Sequence, residues 1–439
     1  MEPLTYAEAL AYIDGLAKRG WRLGLDRMEE FLRRADLLRA VRGPEAPKFL
    51  HVAGTNGKGS VTAYLQSILV ESGYESGSYF SPFVFDPRER IQYNRRLIPK
   101  HLLALWTTVL RPFAESLADT EYGGASEFEF KTAIGFAFWQ HLQCEAVALE
   151  VGLGGRLDAT NVIDPAACGI VSIGLDHMAI LGDTLELIAA EKAGVIKPGK
   201  PVVVGEMEEG PRKVILDRAQ EVGASGWVMG REVTYEVRPS GVTVRTPSAT
   251  HAGLQPGIYG ERQPHNLAVA VAMMDAAGMT RTLRGLTEGA RKAFAPGRFQ
   301  VVESGEQTFV LDGAHNEASC RVLAETLRQW KKGQKTVWVA GMVAGHDPEP
   351  VFRAMKDVVD EVVLVPIQNP RAVDPSTLVP AVTATFNSVE VRNDLAEGLA
   401  VGREKAGKGG VVLVAGSFYL VGECGVHLGL VTNEEETHD

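Results

Sequence analysis

Apolar residues early in the chain recur at spacings of three and four: Tyr6, Leu10 and Ile13, then Met28, Phe31, Leu32 and Leu38. With Gly20 and Gly24 between the runs, this spacing predicts two helices from Thr5 to about Arg42. From Phe49 the pattern tightens into a continuous apolar run, read as a buried strand. After a glycine-rich stretch it returns to helical spacing at Val61, Tyr64, Leu65 and Ile68. KTAIGFAFWQHL, TLELIAAEKAGVI, HNLAVAVAMMDAAG and LTEGARKAF read as helices, and CEAVALEVG, ACGIVSIG and PVVVGEM as buried strands. Strands alternating with helices predict a mostly parallel sheet with helices on both faces. Between about Gly226 and Gly260, short alternating pieces such as VTYEVRPSGVTVRT predict a small antiparallel insertion.

Near APGRFQVVESGEQTFVLDGAHN the pattern restarts with a fresh strand, and TVWVAGMV, EVVLVPI and GVVLVAGSFYLVGE supply further buried strands. The natural division is an α/β domain over 1–297 that carries the glycine-rich stretch, followed by a smaller Rossmann-like α/β domain over 298–439. A chain of 439 residues has material for two or three domains of about 150 residues each. The polar tail TNEEETHD is expected to fray.

Composition removes several classes of function. A net charge of −10 argues against a nucleic-acid binder, so a bound polyanion must be held by a local site. Cys144, Cys168, Cys320 and Cys424 are scattered and form no CxxC pair, which argues against a disulfide framework or zinc knuckle and for a reducing, cytoplasmic compartment. The opening MEPLTYAEALAYIDGL is acidic and amphipathic, and no run approaches the ~18 apolar residues of a membrane span. Neither secretion nor membrane insertion is expected.

The chemistry concentrates at strand ends. In HVAGTNGKGSV the backbone amides of Gly54, Thr55, Asn56, Gly57, Lys58 and Gly59 stand at the mouth of a helix beginning near Ser60. They suit phosphate oxygens, with Lys58 adding charge at the outer phosphates. The usual phosphate-loop signature has glycine six residues before the lysine and Ser/Thr directly after it. Here Val52 and Gly59 hold those places, so the displaced Ser60 leaves the magnesium ligands to be sought elsewhere. Glu150 ends a buried strand in LEVGLGGRLDATNV, where a carboxylate is costly unless paired or holding a cation. Asp176 and His177 end another strand in VSIGLDHMAILGDT.

HVAGTNGKGSV, SPFV, LEVGLGGRLDATNV, GLDHMAILGDTLELIAAEKAGVIK and LDGAHNEAS together closely resemble the folylpolyglutamate synthase and dihydrofolate synthase family, a branch of the Mur ligases, over nearly the whole chain. The resemblance implies an ATP-dependent ligase that phosphorylates a substrate carboxylate and joins the resulting acyl phosphate to L-glutamate. Its acceptors would be reduced folates and dihydropteroate. It further implies two magnesium ions, one on residues matching Ser81 and Glu150, the other on His177 and a carbamylated Lys192. Arg298, Asp312 and His315 match residues that contact ATP from the second domain, and Asn266 one near the adenine. His315 and Ser417 match residues that help hold glutamate, and Phe128 and Phe130 of SEFEFKT fall in the pterin-binding segment. A monomer is expected.

Competing readings stay open at this point. Lys192 also reads as a surface partner for Glu191 or Glu186, Arg298 as a hinge salt bridge, Asp312 and His315 as a polar turn, and Phe128 and Phe130 as a core corner. Phe83 stands where the family commonly has histidine, and GHD at Gly345 to Asp347 where it commonly has DKD. A phosphate-loop kinase using the first domain alone, or a Mur-type ligase acting on a cell-wall precursor, are the alternative functions.

Overall fold

The structure, a computed structural model, describes residues 2–17, 24–345 and 347–430. Gly20, His346 and the tail TNEEETHD lie outside them. The predicted opening helices are present as Tyr6–Leu16 and Asp26–Arg34.

An eight-stranded sheet organises the first part of the chain. Its strands are β1 (Lys48–Ala53), β2 (Ser76–Tyr79), β3 (Ile91–Tyr93), β4 (Arg96–Leu97), β5 (Ala146–Glu150), β6 (Pro165–Ile170), β7 (Val202–Val204) and β8 (Gly226–Val228), in the order β4-β3-β2-β5-β1-β6-β7-β8. The strands from β2 to β8 in that order pair in parallel, and β3 and β4 add an antiparallel edge. Alternate residues of one strand serve opposite faces. On β1, Leu50 and Val52 enter a core shared with the helices Lys58–Glu71 and Gln263–Ala276, while Phe49 enters a second core with Phe130, Phe136 and Trp139 of the helix Glu127–His141.

The antiparallel insertion is narrower than the sequence suggests. Only β9 (Thr234–Arg238), β10 (Gly241–Arg245) and β11 (Thr250–Leu254) form it, whereas β8 pairs in parallel with β7 as the edge of the main sheet. A strand this short carries too few residues to show whether it alternates or is continuous.

A second, six-stranded sheet follows: β12 (Gln300–Ser304), β13 (Gln307–Asp312), β14 (Thr336–Ala340), β15 (Glu361–Leu364), β16 (Val389–Val391) and β17 (Val411–Ala415), in the order β12-β13-β17-β14-β15-β16. All but the β12–β13 pair run parallel. GVVLVAGSFYLVGE is not one long strand, because β17 stops at Ala415 and Ser417 caps the helix Phe418–His427. The sheets touch through the loop after β2: Val84 and Phe85 pack into the second sheet's core.

Candidate active site

Sheet order decides which chemistry meets. β2, β5, β1 and β6 are successive neighbours, so Ser81, Glu150, the glycine loop and the segment bearing Asp176 and His177 all leave the same sheet edge, at the carboxyl ends of parallel strands.

The glycine loop ends in the helix Lys58–Glu71, with Gly57 at φ +85° as its N-cap. A side chain at Gly57 is excluded twice over, by that left-handed backbone and by Val171 and Asn266, which would lie 2.8 and 2.9 Å from its Cβ. Asn266 is thus found beneath the loop. The Thr55 amide donates to Ser172 O at 2.9 Å and the Asn56 amide to Ser172 Oγ at 3.0 Å. These two amides therefore anchor the loop to the segment after β6 and are not turned outward, a correction to the full run of phosphate donors expected from the sequence. The first-turn amides of Lys58, Gly59 and Ser60 have no acceptor in a preceding turn, the general setting in which a helix start can meet an anion. Lys58 Nζ donates to the carbonyls of Gly54 at 2.9 Å and Thr55 at 3.2 Å.

Glu150 is 2% exposed. Burial raises its carboxyl above the usual range, against the opposing pull of Lys58, the Ser81 amide, Arg298 and Arg90. The Ser81 amide donates to Glu150 Oε2 at 3.1 Å. Gly59 marks the meeting point: a Cβ there would lie 3.6 Å from Glu150 Oε2 and 3.7 Å from Arg298 Nη2. Arg298, which precedes the second sheet, therefore reaches the mouth of the first-sheet helix. Its guanidinium stacks 4.4 Å from the centre of the Phe418 ring.

A smaller cavity of about 30 Å³ is lined by Gly54, Lys58, Gly152, Asp176, His177 and Lys192, among others. It has room for an ion or a water molecule or two. His177 does not end a strand as the sequence suggests. β6 stops at Ile170, and His177 sits at φ +50° as the N-cap of the short helix Met178–Leu181. Lys192 is 5% exposed on the helix Leu185–Ala193. The GLGGRLD loop approaches this helix so closely that a Cβ at Gly155 would lie 2.9 Å from the carbonyls of Glu191 and Lys192. Burial and then Lys58 push the Lys192 amine down to about 7, against Asp176 and Asp158. Glu191 pairs with Arg156 at 2.8 Å, so a surface ion pair does not account for Lys192.

On the second sheet, the Asp312 carboxylate accepts the amides of Phe299 and Ala314, each at 2.8 Å. Burial raises its pKa, with Arg298 opposing. His315 Nδ1 lies 2.8 Å from the Gly313 carbonyl, to which it donates. Ser417 is 2% exposed and accepts the Tyr419 amide. Asp312 and Ser417 lie at the ends of the neighbouring strands β13 and β17, with Phe418 bridging to Arg298 and standing 6.3 Å from the His315 ring.

Phe128 and Phe130 part company. SEFEFKT opens a helix through a capping box, Ser126 with Glu129, and Glu129 makes a buried ion pair with Arg27. Phe130 is wholly buried between Tyr12 and Phe31, so it belongs to the core and does not line a site. Phe128 lies against the backbone of Gly152, two residues beyond Glu150.

The donor set suits a hard cation. Among the described residues no group of three or more His, Cys, Asp or Glu forms a cage. Magnesium does not require one, since it takes one or two carboxylates and fills its octahedron with water and substrate phosphates.

The sequence reading missed Ser172, which anchors the loop, as well as Glu89 and Arg90 beside Ser81. Nothing in RERIQY distinguishes a buried guanidinium from a solvated one. Among the described residues no helix is long and apolar enough to cross a membrane.

Known proteins of similar sequence and shape point one way. The family described as Mur ligase, glutamate ligase domain, matches residues 297–418. The dihydrofolate synthase/folylpolyglutamate synthase of Bacillus subtilis is 31% identical over 433 residues, covering 95% of this chain and 98% of that protein. Escherichia coli FolC in complex with DHPP and ADP superposes with a TM-score of 0.87 at 31% identity, covering 98% of each chain. A bifunctional folylpolyglutamate synthase/dihydrofolate synthase with Mn, AMPPNP and L-glutamate bound gives 0.84 at 30% identity, again covering 98% of each.

Proposed function

The chain belongs to the dihydrofolate synthase/folylpolyglutamate synthase family of Mur ligases, and from that membership we propose how its own residues divide the reaction. It is an ATP-dependent ligase that adds L-glutamate to folates. Its acceptors include dihydropteroate as well as reduced folates. An acceptor carboxylate oxygen attacks the γ-phosphorus of ATP, ADP leaves, and the glutamate amine then displaces phosphate, leaving an amide.

The observation that carries this reading is the approach of Glu150 and Arg298 to Gly59 at the head of the Lys58 helix. Lys58 and the first-turn amides neutralise the outer phosphates. Arg298 keeps its charge and offers a fork of donors, so it steadies the transferred group from the side of the second sheet. Asp312 ties the amide of Phe299, next to Arg298, to that of Ala314, with His315 and Ser417 positioned for the glutamate. Asn266, packed under Gly57, shapes the loop from below on the adenine side. Phe128, beside Gly152, offers a flat face to the pterin. Ser81 and Glu150 would hold one magnesium ion, and His177 with Lys192 as its carbamate a second, which would supply screening of the repulsion between phosphates and carboxylate. The carboxylate end of the acceptor fits the cavity of about 420 Å³ lined by Ser81, Glu150, Arg298 and Phe418.

An omission assay tests this. ADP release with ATP, magnesium, L-glutamate and either dihydropteroate or tetrahydrofolate should fall to background when glutamate or the pterin is left out, with a product heavier by one glutamyl unit. Full ADP release without glutamate would instead identify a kinase or simple ATPase.

A further inference from the structure

The turn between β2 and β3 carries two side chains that no step above uses. Glu89 and Arg90 close the 3-10 turn Pro87–Arg90, and each is 8% exposed. Glu89 gathers three successive amides: Val84 N donates to Oε2 at 2.7 Å, and Phe85 N and Asp86 N to Oε1 at 3.0 and 3.2 Å. Arg90 Nη1 donates to Ser81 Oγ at 3.2 Å. Its guanidinium lies 5.8 Å from the centre of the Tyr79 ring and 5.6 Å from that of Phe128, while its buried Nε has no hydrogen-bond partner among the described residues. Neighbouring Arg88 has an ordinary ion pair with Asp86 at 2.8 Å. Burying a guanidinium has a desolvation cost even when it is partnered, and Arg90 commits its Nη1 to Ser81, so its place there calls for a role.

The loop between these two grips has distinct ends. At its start the Ser81 amide meets Glu150. Further along, a Cβ at Gly422 would lie 2.3 Å from Val84 O, and one at Gly425 would lie 2.3 Å from the Phe85 ring. The loop is thus seated on the last helix of the second sheet.

We propose that Glu89 and Arg90 are positioning residues that clamp loop 81–86, Arg90 orienting the Ser81 hydroxyl beside Glu150 and Glu89 fixing the segment that rests on the last helix. The clamp rests on the reading of Ser81 and Glu150 as cation ligands. Two adjacent residues of one rigid turn hold both halves of the loop, so the hydroxyl is set before a cation arrives and the loop is not left to be ordered by it.

The test uses the full chain with AMPPNP and reads Mn²⁺ affinity by electron paramagnetic resonance, with melting temperature as the check on folding. Glu150→Gln defines the site. Arg90→Met and Glu89→Gln should each weaken that Mn²⁺ site by about tenfold or more, with metal-free AMPPNP affinity unchanged, and Arg90→Lys, which retains a donor, should recover part of the loss. Adding Arg90→Met to Ser81→Ala should weaken the site no further, because Arg90 acts through the hydroxyl. Unchanged Mn²⁺ affinity in both Arg90→Met and Glu89→Gln, with Glu150→Gln impaired, would overturn the clamp, as would additive losses in the double variant. Glu150→Gln binding Mn²⁺ normally would defeat the Ser81–Glu150 reading itself, which is a different failure.

Discussion

Burial changes the chemistry open to Lys192. An amine pushed down to about 7 is half neutral at that pH, and the neutral form is the one that carbon dioxide can carbamylate. Glu191 is already engaged by Arg156 and Lys192 is 5% exposed, so the lysine is not a surface residue seeking a partner. If the carbamate positions the second cation with His177, Lys192→Ala should lose about 10–100-fold in initial rate while melting within a few degrees of the parent. Acetate, an anion of similar shape, should restore part of the rate. A variant as active as the parent, indifferent to acetate, would end the carbamate reading. The position of Lys192 was legible in AAEKAGVIK through the resemblance, but its burial was not, since the close packing comes from Gly155 on a loop distant in sequence. Phe130 shows the converse. An aromatic residue in a recognisable segment could be read as a ring platform or a core corner, and packing against Tyr12 and Phe31 makes it core.

At the scale of elements, long periodic stretches were readable and short ones were not. The helices at Glu127–His141 and Gln263–Ala276 and the strands at Ala146–Glu150 and Thr336–Ala340 fall where their patterns place them. β8 was absorbed into the insertion, β16 was not seen, and the helix after Ser417 was read as strand because an apolar run looks alike in either state until its cap is recognised. One electrostatic tie binds elements of the second sheet: Glu361 on β15 meets Lys335 and Lys405, each at 2.7 Å, and Lys405 also reaches Glu390. Hydrogen bonds from the two lysines hold the Glu361 carboxyl at about 2, below its ordinary 4.5. A carboxyl depressed on folding contributes stability above its unfolded pKa and loses it as pH falls through the folded one. Glu361→Gln should therefore be less stable than the parent at pH 7, by no more than about 1 kcal/mol given the solvent screening. Urea titrations at stepped pH should show the gap closing between pH 4.5 and 2. A gap that persists unchanged at pH 2 would refute the assignment.

At the scale of the whole molecule, the two sheets are joined where the reaction is proposed to occur. The order β2-β5-β1-β6 gathers Ser81, Glu150, Lys58 and His177 along one edge, and Arg298 closes on them from the other sheet. Sequence could name most of these residues by motif, yet not their adjacency, because neighbouring strands in the sheet are far apart along the chain. The central claim is that this junction phosphorylates the acceptor's carboxylate before glutamate attacks. The most direct measurement follows oxygen. With an acceptor carrying ¹⁸O in its carboxylate, plus ATP, magnesium and L-glutamate, the account predicts one ¹⁸O in the inorganic phosphate for each amide formed, seen as an isotope-shifted ³¹P resonance. Amide formation with phosphate free of the label would contradict it.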